Sequence, residues 1–408
     1  VTQPLAIVGA SARAAAASAV RAGFQPITAD LFADADLRAI ATATRVSPYP
    51  DGLLDWLRAL QPPAWMYTGA LENDPELVDQ MAWIAPLWGN PGDVLTRVRS
   101  PWELAAVLRD AGLLFPETRP SPEGLPRDGS WLAKTYHGAS GSGVRELVET
   151  GEQIETGRHA DRETRRRATE SLGLPVSLSP PLVYQRRMAG MPCSAAFVAS
   201  SGTATLLGVT RQLVGEAWLG AHGFQYAGSI GPLLLDDALL AEVTAAGNAL
   251  AEQFELAGLF GVDFILDDQR LWMLEVNPRY TASMEVLERA TGIKAIAAHA
   301  EACRGLRIEG TDQSAIRNPR SEIRARVRGK AILYVRRDVV ISGDFAALAL
   351  SEAGRQPWPT LADIPPAGTP IEAGRPALSV FAEGAAADEV EHRLRERVAA
   401  IERTLYAD

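Results

Sequence analysis

Apolar and polar positions along this chain follow two periods, one of strands and one of helices. Residues 5–8 (Leu-Ala-Ile-Val) form a short apolar run ending in Gly9-Ala10-Ser11, and an Ala-rich helical stretch follows from Arg13 to a stop at Gly23. Residues 25–29 read as a second strand ending at Asp30. Residues 64–67 and 86–88 are further strand candidates that run into Thr68-Gly69 and Gly89-Asn90. Strands alternating with helices predict a parallel sheet. The Gly9-x-Ser11-x-Arg13 turn is either a tight strand-to-helix connection or an anion seat at a helix N-terminus. The full GxGxxG fingerprint is absent, which argues against a nicotinamide dinucleotide.

Further on, Ser100-Pro101-Trp102-Glu103 has the form of a capped helix start, with Ser at N-cap, Pro at N1 and Glu at N3. That helix should run to Asp110 and stop at Gly112. Residues 116–129, rich in Pro and Gly, read as a connector into a new domain. Two strand-like stretches, 131–136 and 144–148, then bracket a Gly- and Ser-rich loop. Interleaved acids and bases at 159–170 predict a solvated helix. Helices are expected near 236–255 and 284–304, a strand at 330–335, a Pro-rich segment at 357–376 and an amphipathic closing helix at 388–406.

Composition changes this picture little and excludes several functions. The 408 residues exceed one ordinary core, so two to four domains are expected. A formal charge of -10 opposes nucleic-acid binding, which needs excess Lys and Arg. Cys193 and Cys303 are the only cysteines, so neither a disulfide framework nor a structural zinc site is indicated, and Cys193 reads as a small core residue. No apolar run reaches the ~18 residues of a membrane span, and residues 1–10 lack a basic then apolar leader pattern. The expectation is a cytoplasmic protein with no membrane and no nucleic-acid partner.

Two places carry candidate chemistry. The loop His137-Gly138-Ala139-Ser140-Gly141-Ser142-Gly143 exposes backbone N–H groups that suit phosphate oxygens, and Lys134 on the preceding strand adds positive charge. A strand follows it rather than a helix, so this is a hairpin tip and not a Walker loop. Farther along, residues 261–266 and 271–279 flank the polar turn Asp267-Asp268-Gln269-Arg270. With a turn centred near Gln269, Asp263 and Glu275 sit opposite one another, and Asn277 shares their face. Two carboxylates and an amide oxygen on an apolar ribbon suit Mg²⁺ (Mn²⁺ is compatible) bridging nucleotide phosphates. Arg211 is either a further phosphate clamp or a surface arginine. His137 is either a substrate contact or a loop-ordering residue. The Gly- and aromatic-rich stretch 218–228 either lines an acceptor site or is an ordinary loop.

In the order Lys134 with its Gly-rich loop, then Val183-Tyr184-Gln185-Arg186-Arg187-Met188-Ala189-Gly190, then Asp263…Glu275-Val276-Asn277-Pro278-Arg279, the sequence resembles the ATP-grasp superfamily over residues 97 to 305. The resemblance implies an α/β and α+β multidomain chain: an N-terminal α/β parallel-sheet domain (1–95), a small ATP-grasp lobe (96–190), a large lobe with the metal site (191–310) and a small C-terminal lobe (320–408). It implies ATP held between the two ATP-grasp lobes, with adenine against Gln185, Arg186, Arg187 and Met188 largely through backbone, and phosphates under residues 138–143. Asp263, Glu275 and Asn277 would hold one or two metal ions, with Arg279 meeting the transferred phosphoryl group. Arg97 or Arg99 stands where many relatives have Lys, and Arg186 stands near where many have Glu. The implied reaction joins a small-molecule carboxylate to an amine through an acyl phosphate, with ADP and phosphate released. The overall texture is similar to ligases that add amino acids such as glutamate to pterin- or furan-type cofactor precursors. Biotin-carboxylase-like carboxylation, phosphotransfer and a non-catalytic ATP-binding module are the alternatives, and a homodimer is allowed.

Overall fold

A computed structural model describes residues 3–135, 138, 141, 143–149, 182–268, 270–306, 326–355 and 358–407. The chain forms two compact units, residues 1–115 with 188–408, and residues 116–187.

The larger unit begins with four parallel strands in the order β3-β2-β1-β4: β1 Gln3–Val8, β2 Phe24–Asp30, β3 Thr42–Arg45 and β4 Trp65–Tyr67. Leu5, Ala6, Ile7 and Val8 are all fully buried, because a parallel strand covered on both faces must be apolar throughout. The expected strand at 86–88 reduces to a single bridge between Leu87 and Trp65. After β1 the chain turns at Gly9, where a Cβ would lie 2.1 Å from the Thr68 hydroxyl, so only glycine fits. That packing locks the loop after β1 to the loop after β4: Ala10 N–H donates to Gly69 O (2.9 Å) and Thr68 Oγ1 donates to Ser11 O (2.9 Å). Since β2 lies on one side of β1 and β4 on the other, these loops flank the point where strand order reverses.

The second sheet of this unit has eight strands, all antiparallel to their neighbours, in the order β13-β12-β9-β10-β11-β14-β18-β16. They are β9 Met191–Ser200, β10 Thr203–Val214, β11 Tyr226–Gly231, β12 Gly258–Asp267, β13 Arg270–Asn277, β14 Val327–Tyr334, β16 Leu361–Ala362 and β18 Pro376–Gly384. Alternation along β9 sorts its two faces. Ala195, Phe197 and Ala199 pack with the helix Asp237–Gln253, while Ala196 and Val198 pack toward the helices Ala282–Thr291 and Ala295–Cys303. The single helix expected at 284–304 is thus two, broken at Gly292 in the left-handed conformation.

The segment expected as a separate C-terminal lobe continues this sheet: β14 pairs with β11 on one side and β18 on the other. Beside it lie a small ribbon, β15 Val339–Val340 with β17 Pro370–Ile371, and the closing helix Ala387–Leu405. A buried ion cluster ties the three regions of the unit. Arg13 donates to Glu285 (2.8 Å, Nη2–Oε2) and Asp363 (2.8 Å, Nε–Oδ1), and Lys330 Nζ lies 3.0 Å from Glu285. Arg13 therefore faces inward to protein carboxylates, and the anion-seat reading of its turn is not supported.

The smaller unit is a four-stranded sheet in the order β5-β8-β6-β7, with β5 Thr118–Arg119, β6 Asp128–Thr135, β7 Val144–Val148 and β8 Leu182–Arg186. The helix start at Ser100 is as expected: its side chain accepts from Glu103 N, and the helix Pro101–Asp110 belongs to the larger unit. The charged stretch 159–170 lies outside the described residues. No helix among the described residues is long and apolar enough to cross a membrane.

Candidate active site

The hairpin β12–β13 places Asp263 opposite Glu275 and Gly261 opposite Asn277. It does so by a different route from the one the sequence suggests. The innermost pair is Asp267 with Arg270, so the turn is one half-step earlier than a centre at Gln269, which itself lies outside the described residues. A straight ladder from that turn would face Asp263 with Leu274 and send Glu275 to the other face. The register instead skips Leu274, a β-bulge between the pairs Phe264–Met273 and Asp263–Glu275. That one extra residue returns Glu275 and Asn277 to the face of Asp263.

The row continues across the sheet, with Asp263 beside Ser194 on β9 and Ser194 beside Thr210 on β10. Both Asp263 oxygens accept amide N–H groups: Oδ1 from Gln212 Nε2 (3.0 Å) and Oδ2 from Asn277 Nδ2 (3.0 Å). Burial, then the neighbouring Glu275 carboxylate, push the Asp263 carboxyl up to about 7. Such a pair calls for a cation. Among the described residues no cluster of three His, Cys, Asp or Glu side chains could hold a metal, so the third oxygen here is the Asn277 amide. Two carboxylates and an amide on one face fit a hard divalent ion.

Arg279 extends the row. It donates to Asn277 Oδ1 (3.1 Å), to Tyr280 O (3.3 Å) and, through Nε, to Glu72 Oε1 (2.7 Å). Glu72 is buried and comes from the turn after β4, a contact that sequence spacing did not reveal. Gln212, the amide holding Asp263, was also missed, because a lone Gln on a strand has no motif around it. Arg211 is not brought to the trio. Its register partner is Cys193, one position off Ser194, which puts it on the opposite face from Asp263. There it is paired with Glu391 of the closing helix. Cys193 is fully buried, as expected. Trp218 of the 218–228 stretch stacks under Arg395 (4.5 Å) and donates to Glu216.

In the smaller unit the hairpin β6–β7 is confirmed, with Lys134 opposite Val144. Lys134 Nζ donates to Gln185 Oε1 (3.1 Å), and Gln185 Nε2 donates to Thr118 Oγ1 (3.3 Å). The Lys is held from the central strand β8 rather than left to swing. Of the loop, Gly138, Gly141 and Gly143 are described, while His137, Ala139, Ser140 and Ser142 lie outside the described residues. A Cβ on Gly143 would lie 1.8 Å from the Thr135 hydroxyl, and one on Gly138 2.8 Å from it, so both glycines lie tight against Thr135. The amides of Arg186 and Arg187 are taken, donating to Glu117 O (2.8 Å) and Ser130 O (2.9 Å). They are therefore unavailable to an adenine edge. The Arg187 guanidinium pairs with Glu146 (2.7 Å). Met188 is the first residue of the other unit.

Comparison with known proteins agrees with this layout. Residues 98–283 match the family model described as ATP-grasp domain. A carbamoyl phosphate synthase large chain from Kineococcus radiotolerans is 35% identical over 114 residues, 27% of this chain. The chain spans only 8% to 17% of the first curated relatives it matches. Among solved structures, N5-carboxyaminoimidazole ribonucleotide synthetase from Thermus thermophilus has a TM-score of 0.64 at 16% identity, covering 99% of both chains. An L-amino acid ligase from Bacillus licheniformis has a TM-score of 0.64 at 16% identity, covering 98% of this chain and 97% of its own. Motif order, the bulged oxygen row, the looped hairpin and the family match converge: residues 98–283 are an ATP-grasp domain, set in a chain that has the ATP-grasp fold over nearly its whole length.

Proposed function

We propose that the chain is an ATP-dependent ligase that activates a carboxylate as an acyl phosphate and joins it to an amine. The observation that carries this reading is the row Glu275–Asp263–Asn277 with Arg279 bonded to its last member. A divalent cation bound there would screen the charge of nucleotide phosphates. The chain's own groups supply the rest. Gln185 holds the Lys134 ammonium in place, and the Gly-rich loop that follows would meet phosphate oxygens through backbone N–H groups. Arg279, steadied by Glu72, would meet negative charge growing on the transferred phosphoryl group.

In the first step a carboxylate oxygen bonds to the γ-phosphorus as the bond between that phosphorus and the β,γ-bridging oxygen breaks, leaving ADP. In the second, the amine nitrogen bonds to the acyl carbon, phosphate leaves and the amine loses one proton. No protein nucleophile is needed. The finer reading, addition of an amino acid such as glutamate to a pterin- or furan-type precursor, rests on sequence texture alone.

A panel of acids incubated with ATP, Mg²⁺ and hydroxylamine should yield a hydroxamate and equimolar ADP, because acyl phosphates react readily with hydroxylamine. AMP as the nucleotide product would refute the acyl-phosphate route. A second reading, carboxyphosphate formation from bicarbonate, is favoured by the names of the carbamoyl phosphate synthase and N5-carboxyaminoimidazole ribonucleotide synthetase relatives. Bicarbonate-dependent ADP release with no added acid would select it.

A further inference from the structure

The hairpin β12–β13 closes at one end through its turn and is open at the other, where the chain enters at Ala257 and leaves at Pro278. The ladder stops at the pair Gly261–Asn277, so β12 no longer holds the chain once it has passed Asn277. Pro278 sits between Asn277 and Arg279, and its placement sets both. It has no backbone N–H, so its carbonyl is the one main-chain group through which a neighbour can fix it by a hydrogen bond. The Asn90 side chain takes that carbonyl: Nδ2 donates to Pro278 O (3.1 Å) and to Ala257 O (3.3 Å), while Oδ1 accepts from Ala257 N (2.9 Å). A single amide thus grips the residue before β12 and the residue after β13. Asn90 is 1% exposed, and the Tyr67 hydroxyl stands behind it, 2.8 Å from Asn90 O and 3.4 Å from Pro278 O.

We infer that Asn90, backed by Tyr67, is a positioning residue for the oxygen row and for Arg279. The inference rests on the ligase reading above and names what holds its site in register. The chemistry of the side chain fits the task. A primary amide offers two donors and an acceptor in one plane, so it meets the N–H and C=O of Ala257 as a neighbouring strand would and keeps its second N–H for Pro278. An aspartate there would turn acceptors toward two carbonyls, and an alanine would leave the buried Pro278 carbonyl unpaired. The wall that carries Asn90 is itself fixed, since Trp65 N of β4 donates to Pro86 O (3.0 Å) and Trp88 N donates to Trp65 O (2.7 Å). On the other side of the clamp the turn is tight, with Arg279 N donating to Asn277 O (2.8 Å). A shift of Pro278 would therefore carry both flanking side chains with it, the Asn277 amide away from Asp263 and the Arg279 guanidinium away from Glu72.

Titration of the whole chain with Mn²⁺ alone, followed by the loss of the free ion's paramagnetic resonance signal, tests this. Asn90→Ala should raise the half-saturating Mn²⁺ concentration about tenfold, the usual effect of losing a group that orients a metal ligand. Its unfolding temperature should fall as well, so a second destabilised variant separates positioning from general loosening. Ser342→Ala removes the side-chain cap of the helix Gly343–Ala353, and should lower the unfolding temperature with parent-like Mn²⁺ binding. If N90A does not fold, Y67F decides, with Mn²⁺ binding weakened about threefold by the loss of one hydrogen bond. Parent-like Mn²⁺ binding in N90A, or in Y67F where that variant decides, would overturn the assignment, as would an equal loss in S342A. A parent that takes up no Mn²⁺ would overturn the metal-site reading and this inference with it. The hydroxamate assay judges the ligase reading separately, because it asks only what is made and not what holds the ion.

Discussion

Arg279 and Arg211 show how much a residue's role depends on which side of a strand it leaves. Arg279 follows β13 directly, and Arg211 lies within β10 of the same sheet. Arg279 is bonded to the oxygen row, whereas Arg211 is committed to Glu391 through the opposite face. Arg279→Ala should therefore lower kcat at least tenfold with a smaller change in KM for ATP, as expected when an interaction is made mainly in the transition state. Arg211→Ala should change kcat by less than about threefold and instead lower the unfolding temperature, because a half-buried ion pair is broken. Equal loss of kcat in the two variants would show that the face assignment is wrong. Glu275→Gln should remove turnover while leaving the unfolding temperature close to that of the parent, since Glu275 is exposed.

At the scale of elements, the hairpins were legible and their registers were not. Alternation and the Gly-Ser loop identify β6–β7, and two apolar runs about a polar turn identify β12–β13. The bulge is hidden because residues 271–274 are all apolar, so the skipped beat in the buried series Leu271, Met273, Val276 leaves no mark in the pattern. The break at Gly292 is hidden for a related reason, since helices on both sides share one apolar phase. Arg211 was ambiguous because a strand residue's face depends on pairing, which only the fold supplies. The hairpin loop permits a direct test. Gly143→Ala places a methyl on the Thr135 hydroxyl and should weaken ATP binding on the order of tenfold. Adding Thr135→Ala removes the colliding oxygen and should recover much of that loss. Unchanged ATP affinity in Gly143→Ala, read by calorimetry, would mean the loop does not need its tight fold to hold phosphate.

The whole molecule is less modular than its sequence suggests. The buried charges at the junction of the two sheets also give it a pH dependence. Asp34 is pushed up to about 8 by burial, then by Asp363, Asp36 and Asp30, with Arg13 opposing. A carboxyl whose folded pKa is raised favours the folded state when protonated, so its contribution is fully present below the unfolded value and is lost as pH rises through about 8. The unfolding temperature of the parent protein should fall as pH rises from about 4 to about 8 and level off above that, and Asp34→Asn should flatten that slope. An identical slope in the variant would assign the effect to other groups.

The way β14 sits in the large sheet bears on how the polypeptide could be divided. This strand is hydrogen-bonded on both edges, to β11 and β18, and its Lys330 is buried against Glu285. A covalent link between residues 306 and 326 is therefore not what keeps the last hundred residues in place. Two separately expressed fragments, parted within that interval, should reassemble into one noncovalent particle that copurifies and regains the parent's activity. The first fragment alone would expose the β11 edge and the apolar positions Leu213, Ala227 and Ile230, and should aggregate until its complement is supplied. The carboxyl-terminal quarter is then a structural half of a split protein, able to switch the rest on by arriving.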